Sequence, residues 1–272
     1  MTDISPSPRL ALITGASAGI GTSIARLYAS KGFNLALVAR REDRITKLAA
    51  ELSAQFGMSA YAFACDLSVP DAPGEIMDMV ENACGPVDIL VNNAGYGIAK
   101  RYHETDWTDQ AAFLQLMLTT PCEMTHRVLP GMRARGFGRI VNIASIAGLA
   151  PPASGHTLYA AVKAGLVRFS QSLNAENDGS GVHVTAVCPG MTYSEFHDVN
   201  GQRPKVSKLP GWMWQSAEAV ALESWTASEA NKAMHVTGRY NRLMWSAARL
   251  LPENMAFGIM KKRSAALGKD GR

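Results

Sequence analysis

The chain has 272 residues, with 27 Lys/Arg against 23 Asp/Glu and nearly half of all residues apolar. That length suits one large α/β domain with a packed core. A net charge of +4 is too weak to argue for a nucleic-acid partner. The four cysteines (Cys65, Cys84, Cys122, Cys188) are scattered without ligand spacing, as are the histidines, so no metal site is expected. Reduced thiols point to a cytoplasmic setting. The stretch from Met1 to Gly15 does not read as a signal peptide, and no apolar run approaches the ~20 residues of a membrane span.

Short apolar runs recur along the chain: "LALI" from Leu10, "LALVA" from Leu35, "AYAFA" from Ala60, "DILV" from Asp88, "RIVNIA" from Arg139 and "VHVTAVC" from Val182. They do not alternate strictly, the habit of strands buried on both faces in a parallel sheet. Between them, helical spacing predicts helices over Ile20–Lys31, Arg41–Phe56, Asp71–Ala83, Trp107–Arg133 and Thr157–Asn174. Strand and helix in strict alternation predict a doubly wound α/β sheet with right-handed crossovers. A last short strand is expected within Ala233–Gly238, followed by helical pieces at Arg242–Leu251 and Met255–Lys262. No linker is evident. We expect a single body over residues 1–238, including a long substrate loop at 191–216, and a basic amphipathic helical extension over 239–272. From Arg239 onward eight Lys/Arg face two Asp/Glu.

"TGASAGIG" (Thr14–Gly21) follows the first strand and opens the first helix. Glycines there permit a tight turn and close backbone approach to a diphosphate at a helix N-terminus. Gly15, Ser17, Gly19, Ile20 and Gly21 are therefore candidate cofactor contacts. Thr22 stands where a Walker loop needs lysine. Gly15–Gly19 also matches G-x-S-x-G, but a nucleophile elbow needs several strands before it, and only fourteen residues precede Gly15. At the end of the second strand, an enzyme preferring NAD(H) places an acid for the ribose 2′-hydroxyl. Here Ala39, Arg40 and Arg41 occupy that corner. Guanidiniums grip a 2′-phosphate, so NADP(H) is the expected cofactor, ahead of NAD(H).

Five features now stand in order: "TGASAGIG", "CDL" at Cys65–Leu67, "NNAG" at Asn92–Gly95, Ser145 with Tyr159 and Lys163, and "CPG" at Cys188–Gly190. Together they resemble the short-chain dehydrogenase/reductase family over roughly residues 8–200. The resemblance implies a three-layer αβα Rossmann fold on a seven-stranded sheet, a nicotinamide cofactor and alcohol–carbonyl interconversion. It places Asp66 and Leu67 beside the adenine and Asn93, Ala94 and Gly95 behind the cofactor. Pro189, Gly190 and Thr192 fall by the nicotinamide. It further implies a small-molecule carbonyl or alcohol substrate and a homodimer or homotetramer.

The chemistry stands on the residues as well. Reduction of a ketone builds negative charge on oxygen, so a proton must arrive with the hydride. A phenol ionises near pH ~10 in water, and a neighbouring ammonium favours the phenolate. Tyr159 and Lys163, four apart on a helix, share a face. Tyr159 is thus the expected acid/base, Lys163 its cation and ribose ligand, and Ser145 the donor that polarises the substrate oxygen.

Two departures from the family pattern stand out. Alignment puts Met117 where the family has an asparagine, whose role is credited largely to its backbone carbonyl. Tyr159 lies fourteen residues after Ser145, where thirteen is usual, and the extra residue falls in the loop "APPASGHT". Ser154 is a weaker candidate for the serine role, and His156 borders the site. In the substrate loop, Phe196 and Trp212 are candidate walls of an apolar pocket, while Arg203 and Lys205 are available to an anionic group. The basic tail suits a peripheral membrane contact, or packing on the body or a partner subunit. Met117 and the tail together also allow an alternative: a non-catalytic dinucleotide-binding or membrane-associated scaffold.

Overall fold

The computed structural model describes residues 8–98, 100–151, 157–195, 210–250, 252 and 254–258. The apolar runs form strands and the segments between them helices: β1 (Leu10–Thr14), α1 (Gly19–Ser30), β2 (Asn34–Ala39), α2 (Glu42–Phe56), β3 (Ala60–Ala64), α3 (Ala72–Cys84) and β4 (Val87–Asn92). Then come α4 (Trp107–Leu114), α5 (Thr120–Ala134), β5 (Gly138–Ile143), α6 (Thr157–Glu176) and β6 (Val182–Cys188). A two-residue pair, β7 (Met191–Thr192) with β8 (Trp214–Gln215), precedes α7 (Ala217–Glu229), β9 (Met234–Val236) and α8 (Arg239–Ala248).

The main sheet has seven strands in the order β3-β2-β1-β4-β5-β6-β9, all parallel. Successive strand residues point to opposite faces. Ala11, Ile13, Leu35 and Leu37 meet Ile24, Tyr28, Ile45 and Leu52 of α1 and α2 on one side. Leu12, Ala36, Val38 and Leu90 meet Ile76, Val80, Met124 and Val128 of α3 and α5 on the other. Burying one such aliphatic side chain contributes roughly 1.5–3 kcal/mol. The chain runs outward from β1 to β3, then returns to place β4 on the far side of β1. The carboxyl ends of β1 and β4 therefore flank a switch point, where such sheets bind ligands.

One feature differs from the sequence expectation, and two more are not announced by it. The helix expected over Trp107–Arg133 is broken by a π turn at Gln115–Thr119, where the Thr120 N–H donates to the Gln115 carbonyl. Pro121 explains the break: proline has no N–H for the carbonyl four residues back, that of Met117, and its ring crowds it. Second, α7 carries no apolar stripe, because its buried residues (Ala217, Val220, Ala221, Ser224, Ala227, Ser228) are small. Ser216 caps its start by accepting from the Ala219 N–H at 3.1 Å. Third, α7 holds the chain at Gly238 and Arg242, at the join between the expected body and the expected extension. Glu223 of α7 accepts from the Gly238 N–H at 3.0 Å and Arg242 Nη1 at 2.7 Å, and hydrogen-bonds His235 Nε2 at 2.8 Å. Among the described residues, no helix is long and apolar enough to cross a membrane.

A buried polar row braces α6 against the sheet. Asn92 Nδ2 donates to Asn142 Oδ1 at 2.8 Å, Asn142 Nδ2 to Ser170 Oγ at 2.9 Å, and Ser170 Oγ to the Leu166 carbonyl at 2.7 Å. Asn142 is fully buried, so its loss strands partners that water cannot reach. Asn142→Ala is expected to lower unfolding free energy by about 2–3 kcal/mol, against less than ~1 kcal/mol for Arg26→Ala. Arg26 and Glu51 form an exposed pair. Urea titration of both variants checks the ranking; equal midpoints would remove the bracing role.

Candidate active site

Thr14 ends β1 and fastens it to β4. Its Oγ1 accepts from the Asn93 and Ala94 N–H groups at 2.9 and 3.0 Å and donates to the Val91 carbonyl at 3.2 Å. Asn93 Nδ2 returns a bond to the Thr14 carbonyl at 2.9 Å. The two chains pass so closely that a Cβ on Gly15 would lie 2.8 Å from Ala94 Cα, and Gly15 has φ +66°. Only glycine takes this turn without strain. The turn delivers the chain to α1, whose N-cap is Ala18, without a side-chain cap or an acid in the first turn. The N–H groups and partial positive charge of that helix end are thus left to an anion. This loop fits a dinucleotide diphosphate. Ile20 packs against the core below it.

The corner at the end of β2 is more elaborate than two free arginines. Arg40 is mostly exposed, with Nη1 3.8 Å from Asp66 Oδ2. Asp66 also accepts from the Ser68 N–H and Oγ at 3.0 and 2.7 Å. Burial works against its charge, but those bonds and Arg40 hold its carboxyl below the usual value. Leu67 is buried beside it, and its carbonyl accepts from Thr120 Oγ1 at 2.8 Å. Arg41 turns onto the glycine loop, donating from Nε and Nη2 to Ser17 Oγ at 3.2 and 3.0 Å. Its Nη1 meets Glu195 Oε2 at 2.8 Å, and Arg44 Nη1 meets Glu195 Oε1 at 2.8 Å. Neither Arg44 nor Glu195 stands out in the sequence as a site residue. The first lies one helical turn past Arg40, a legible signal; the second is separated from Arg41 by 154 positions.

At the other end of the crevice, β5 ends at Ile143, and Ser145 caps the short helical turn Ile146–Gly148. Ser145 Oγ accepts from the Ala147 N–H at 3.1 Å, and Ser145 lies beside the Tyr159 phenol. That turn packs hard on α6: a Cβ on Gly148 would lie 2.6 Å from the Lys163 carbonyl carbon. The contact sets the spacing between Ser145 and the helix that carries Tyr159. Lys163 is buried, donates from Nζ to the Ile143 carbonyl at 2.7 Å, and lies 5.9 Å from the Tyr159 ring centroid. Burial lowers its pKa to about 8, opposed by the nearby Cys188 sulfur. Burial also raises the Tyr159 phenol, partly countered by the nearby Ser145 hydroxyl. Here the structure differs from the sequence expectation. Loss of water outweighs the influence of Ser145, so the phenol moves up rather than down.

Met117 sits in the π turn and is buried with Phe113 and Val162, beside Tyr96, Leu158 and Tyr159. Its sulfur covers Gly95, where an added Cβ would meet Sδ at 2.7 Å. The side chain thus packs as a hydrophobe. Its carbonyl is the one to which Pro121 can give no N–H.

Beyond β6, the Pro189 carbonyl accepts from the Ile146 N–H at 2.9 Å, joining "CPG" to the Ser145 turn. Thr192 is buried, with Oγ1 donating to the Gly190 carbonyl at 3.1 Å, and Gly190 faces Asn241 of α8. Tyr193 stacks on Trp214 at 4.8 Å. Trp212 is exposed and stands edge-on to Tyr240 at 4.6 Å. Ser154, His156, Phe196, Arg203 and Lys205 lie outside the described residues, as does the extra residue of the loop before Tyr159. Among the described residues, no cluster of side chains suits a metal ion.

Comparison with known proteins agrees with this arrangement. A family model described as short chain dehydrogenase matches residues 9–204. Sulfoacetaldehyde reductase 2 of Chromohalobacter salexigens is 36% identical over 189 residues, 69% of this chain and 74% of that protein. Ketoacyl reductase HetN of a Nostoc species is 29% identical over 272 residues, 96% of this chain and 94% of that one. Among solved structures, a short-chain dehydrogenase from Sphingobium yanoikuyae in complex with NADPH has a TM-score of 0.79 at 29% identity, covering 88% of this chain and 91% of that one. The match to the family model takes in both the glycine loop and the Ser145–Tyr159–Lys163 constellation, and with it the chain belongs to the short-chain dehydrogenase/reductase family of oxidoreductases, which bind a nicotinamide dinucleotide.

Proposed function

We propose that this chain is an NADP(H)-dependent oxidoreductase that interconverts a ketone and a secondary alcohol on a mainly apolar small molecule, with Tyr159 as the acid/base. The placement of Ser145 beside the Tyr159 phenol, one helical turn from Lys163, carries the reading. Arg40, Arg41 and Arg44 around the end of β2 support NADP(H), as does the NADPH complex of the similar structure. The apolar group of Met117, Phe113, Val162, Leu158 and Tyr96 around Tyr159 supports an apolar substrate.

The nicotinamide, when bound, gives or takes the hydride. The remaining work falls to the chain. Gly15–Gly21 and the start of α1 hold the diphosphate, with Asn93–Gly95 behind it and Pro189, Gly190 and Thr192 alongside. Asp66 and Leu67 border the adenine. Ser145 Oγ donates to the substrate oxygen and polarises the carbonyl. Tyr159 then gives its proton to the oxygen as negative charge develops there, and takes it back in the reverse direction. Lys163 holds the ribose through its ammonium and stabilises the tyrosinate left behind. The Met117 carbonyl is available to order a water in the proton relay, the part the family credits to backbone at this position. The presence of all three catalytic groups favours an enzyme over a non-catalytic scaffold.

For the tail, we propose residues 239–272 as an extension whose exposed Leu243, Leu250, Met255 and Phe257, with Arg249 among them, meet either an anionic membrane surface or a second copy of the chain.

Removing only the phenolic hydroxyl tests the acid/base assignment. Tyr159→Phe is expected to lower kcat by about 10²–10⁴-fold, with the NADPH dissociation constant from fluorescence titration changed less than about threefold. Retained turnover would eliminate Tyr159 as the proton donor.

The buried lysine sets a pH dependence of stability. In the folded chain Lys163 releases its proton near pH 8, but its ordinary value is 10.5. Between those values the unfolded chain holds more protons, so stability without cofactor rises with pH through this window. Lys163→Met should flatten that rise in urea titrations at pH 8, 9 and 10. An unchanged slope in the variant would show that some other group causes it.

A further inference from the structure

Arg41 offers three donor nitrogens, and the fold already engages all of them. Nε and Nη2 lie along Ser17 Oγ of the glycine loop. That contact leaves Nη1 at the corner beside the end of β2, where the NADP(H) reading above puts the 2′-phosphate. Nη1 is the atom that holds Glu195 Oε2 at 2.8 Å. Arg44 closes the arrangement from α2, its Nη1 at 2.8 and 3.0 Å from the two carboxylate oxygens. Glu195 thus bridges two guanidiniums with both oxygens, the bonding a phosphate monoester would make there. The side chains of Arg41, Arg44 and Glu195 remain 40%, 44% and 45% exposed, so the pairings are exchangeable. The hydrogen bonds from Arg41 and Arg44 hold the Glu195 carboxyl below the usual value, which keeps it anionic at neutral pH.

We propose that Glu195 is an internal stand-in for the 2′-phosphate: it occupies the Arg41–Arg44 pair until an adenosine 2′-phosphate displaces it, and so sets how strongly the protein prefers NADP(H) over NAD(H). The inference rests on the NADP(H) reading above. Charge supports exchange over co-occupancy. Arg40, Arg41 and Arg44 face Asp66 and Glu195, leaving one positive charge in excess. A 2′-phosphate brings about −1.5 to −2 at neutral pH. With Glu195 retained the corner turns negative, whereas with Glu195 released it comes close to neutral. NAD(H), lacking this phosphate, has nothing to exchange and leaves Glu195 in place.

The test is calorimetric binding to the full chain without substrate. Titrants are NADP⁺, NAD⁺, adenosine 2′,5′-bisphosphate and 5′-AMP, for the wild type and Glu195→Gln. Glutamine keeps the size and one acceptor oxygen and removes the charge. Exchange predicts that the variant binds NADP⁺ and the bisphosphate about 3- to 10-fold more tightly, with NAD⁺ and 5′-AMP within twofold of the wild type. Three results overturn it. Unchanged or weaker NADP⁺ binding in the variant, while the wild type still prefers NADP⁺, sinks the stand-in alone. Equal tightening for NAD⁺ and NADP⁺ shows that Glu195 acts on the dinucleotide as a whole, with no regard to the phosphate. A wild type that binds NAD⁺ as tightly as NADP⁺ removes the NADP(H) reading and the inference with it.

Discussion

An ammonium group held out of water organises this site. Lys163 lies within the protein, and burial alone would drive it toward the neutral amine. One strong bond to the Ile143 carbonyl at 2.7 Å partly replaces the lost water. That carbonyl is the last of β5, so the lysine is registered against the sheet itself. The same residue fixes α6, because the turn after Ser145 packs directly on the Lys163 backbone. Ser145 and Tyr159 therefore meet through a rigid path from strand to turn to helix. The polar row from Asn92 to Asn142 and Ser170 lies under the same helix and resists its displacement.

Burial gives the phenol and the ammonium opposite problems. It raises Tyr159, favouring the neutral acid, and lowers Lys163, favouring the neutral base. A pair shifted this way keeps its proton on the tyrosine until negative or positive charge enters the crevice. In the proposed reaction the phenol then acts as an acid in reduction, where the substrate oxygen becomes anionic. In the proposed oxidation, a cationic nicotinamide would be the added charge that favours tyrosinate. Helical spacing alone puts the cation beside the phenol; dehydration, visible only in the fold, sets the resting state.

Much of the fold is legible because its signals are local. Apolar runs such as "LALI" and "VHVTAVC" must be strands buried on both faces, and Gly15 must be glycine wherever two backbones approach at β1 and β4. Tyr159 and Lys163 are legible by helical spacing, and Ser145 by its place among the family motifs. What escapes the sequence is either featureless or distant. Helix α7 shows no stripe because small residues line its buried face. The π turn is hidden within a continuous helical pattern, although Pro121 is its signal. The Glu195 contact joins positions 154 apart, and nothing near "SEF" announces an arginine partner. The arginines themselves are legible as cations, whereas their pairing with an internal carboxylate is not.

That last difference bears on how cofactor choice should be read in such sheets. Counting arginines after β2 measures the attraction available to a phosphate, not the net gain on binding it. A guanidinium already paired with an internal carboxylate gives up one charge-assisted bond to form another, so the exchange yields less than the bare count suggests. Selectivity then depends on which anion fits the pair better, a property of the segment after β6 as much as of the β2 corner. Here that segment also carries Thr192 and packs Ser194 against Gly19 of the glycine loop. The two ends of the crevice are thereby joined through five consecutive residues, from Met191 to Glu195. On the proposed reading, substitutions in this short stretch are placed to alter cofactor preference and nicotinamide placement together, even where the arginines and the proposed catalytic groups are untouched.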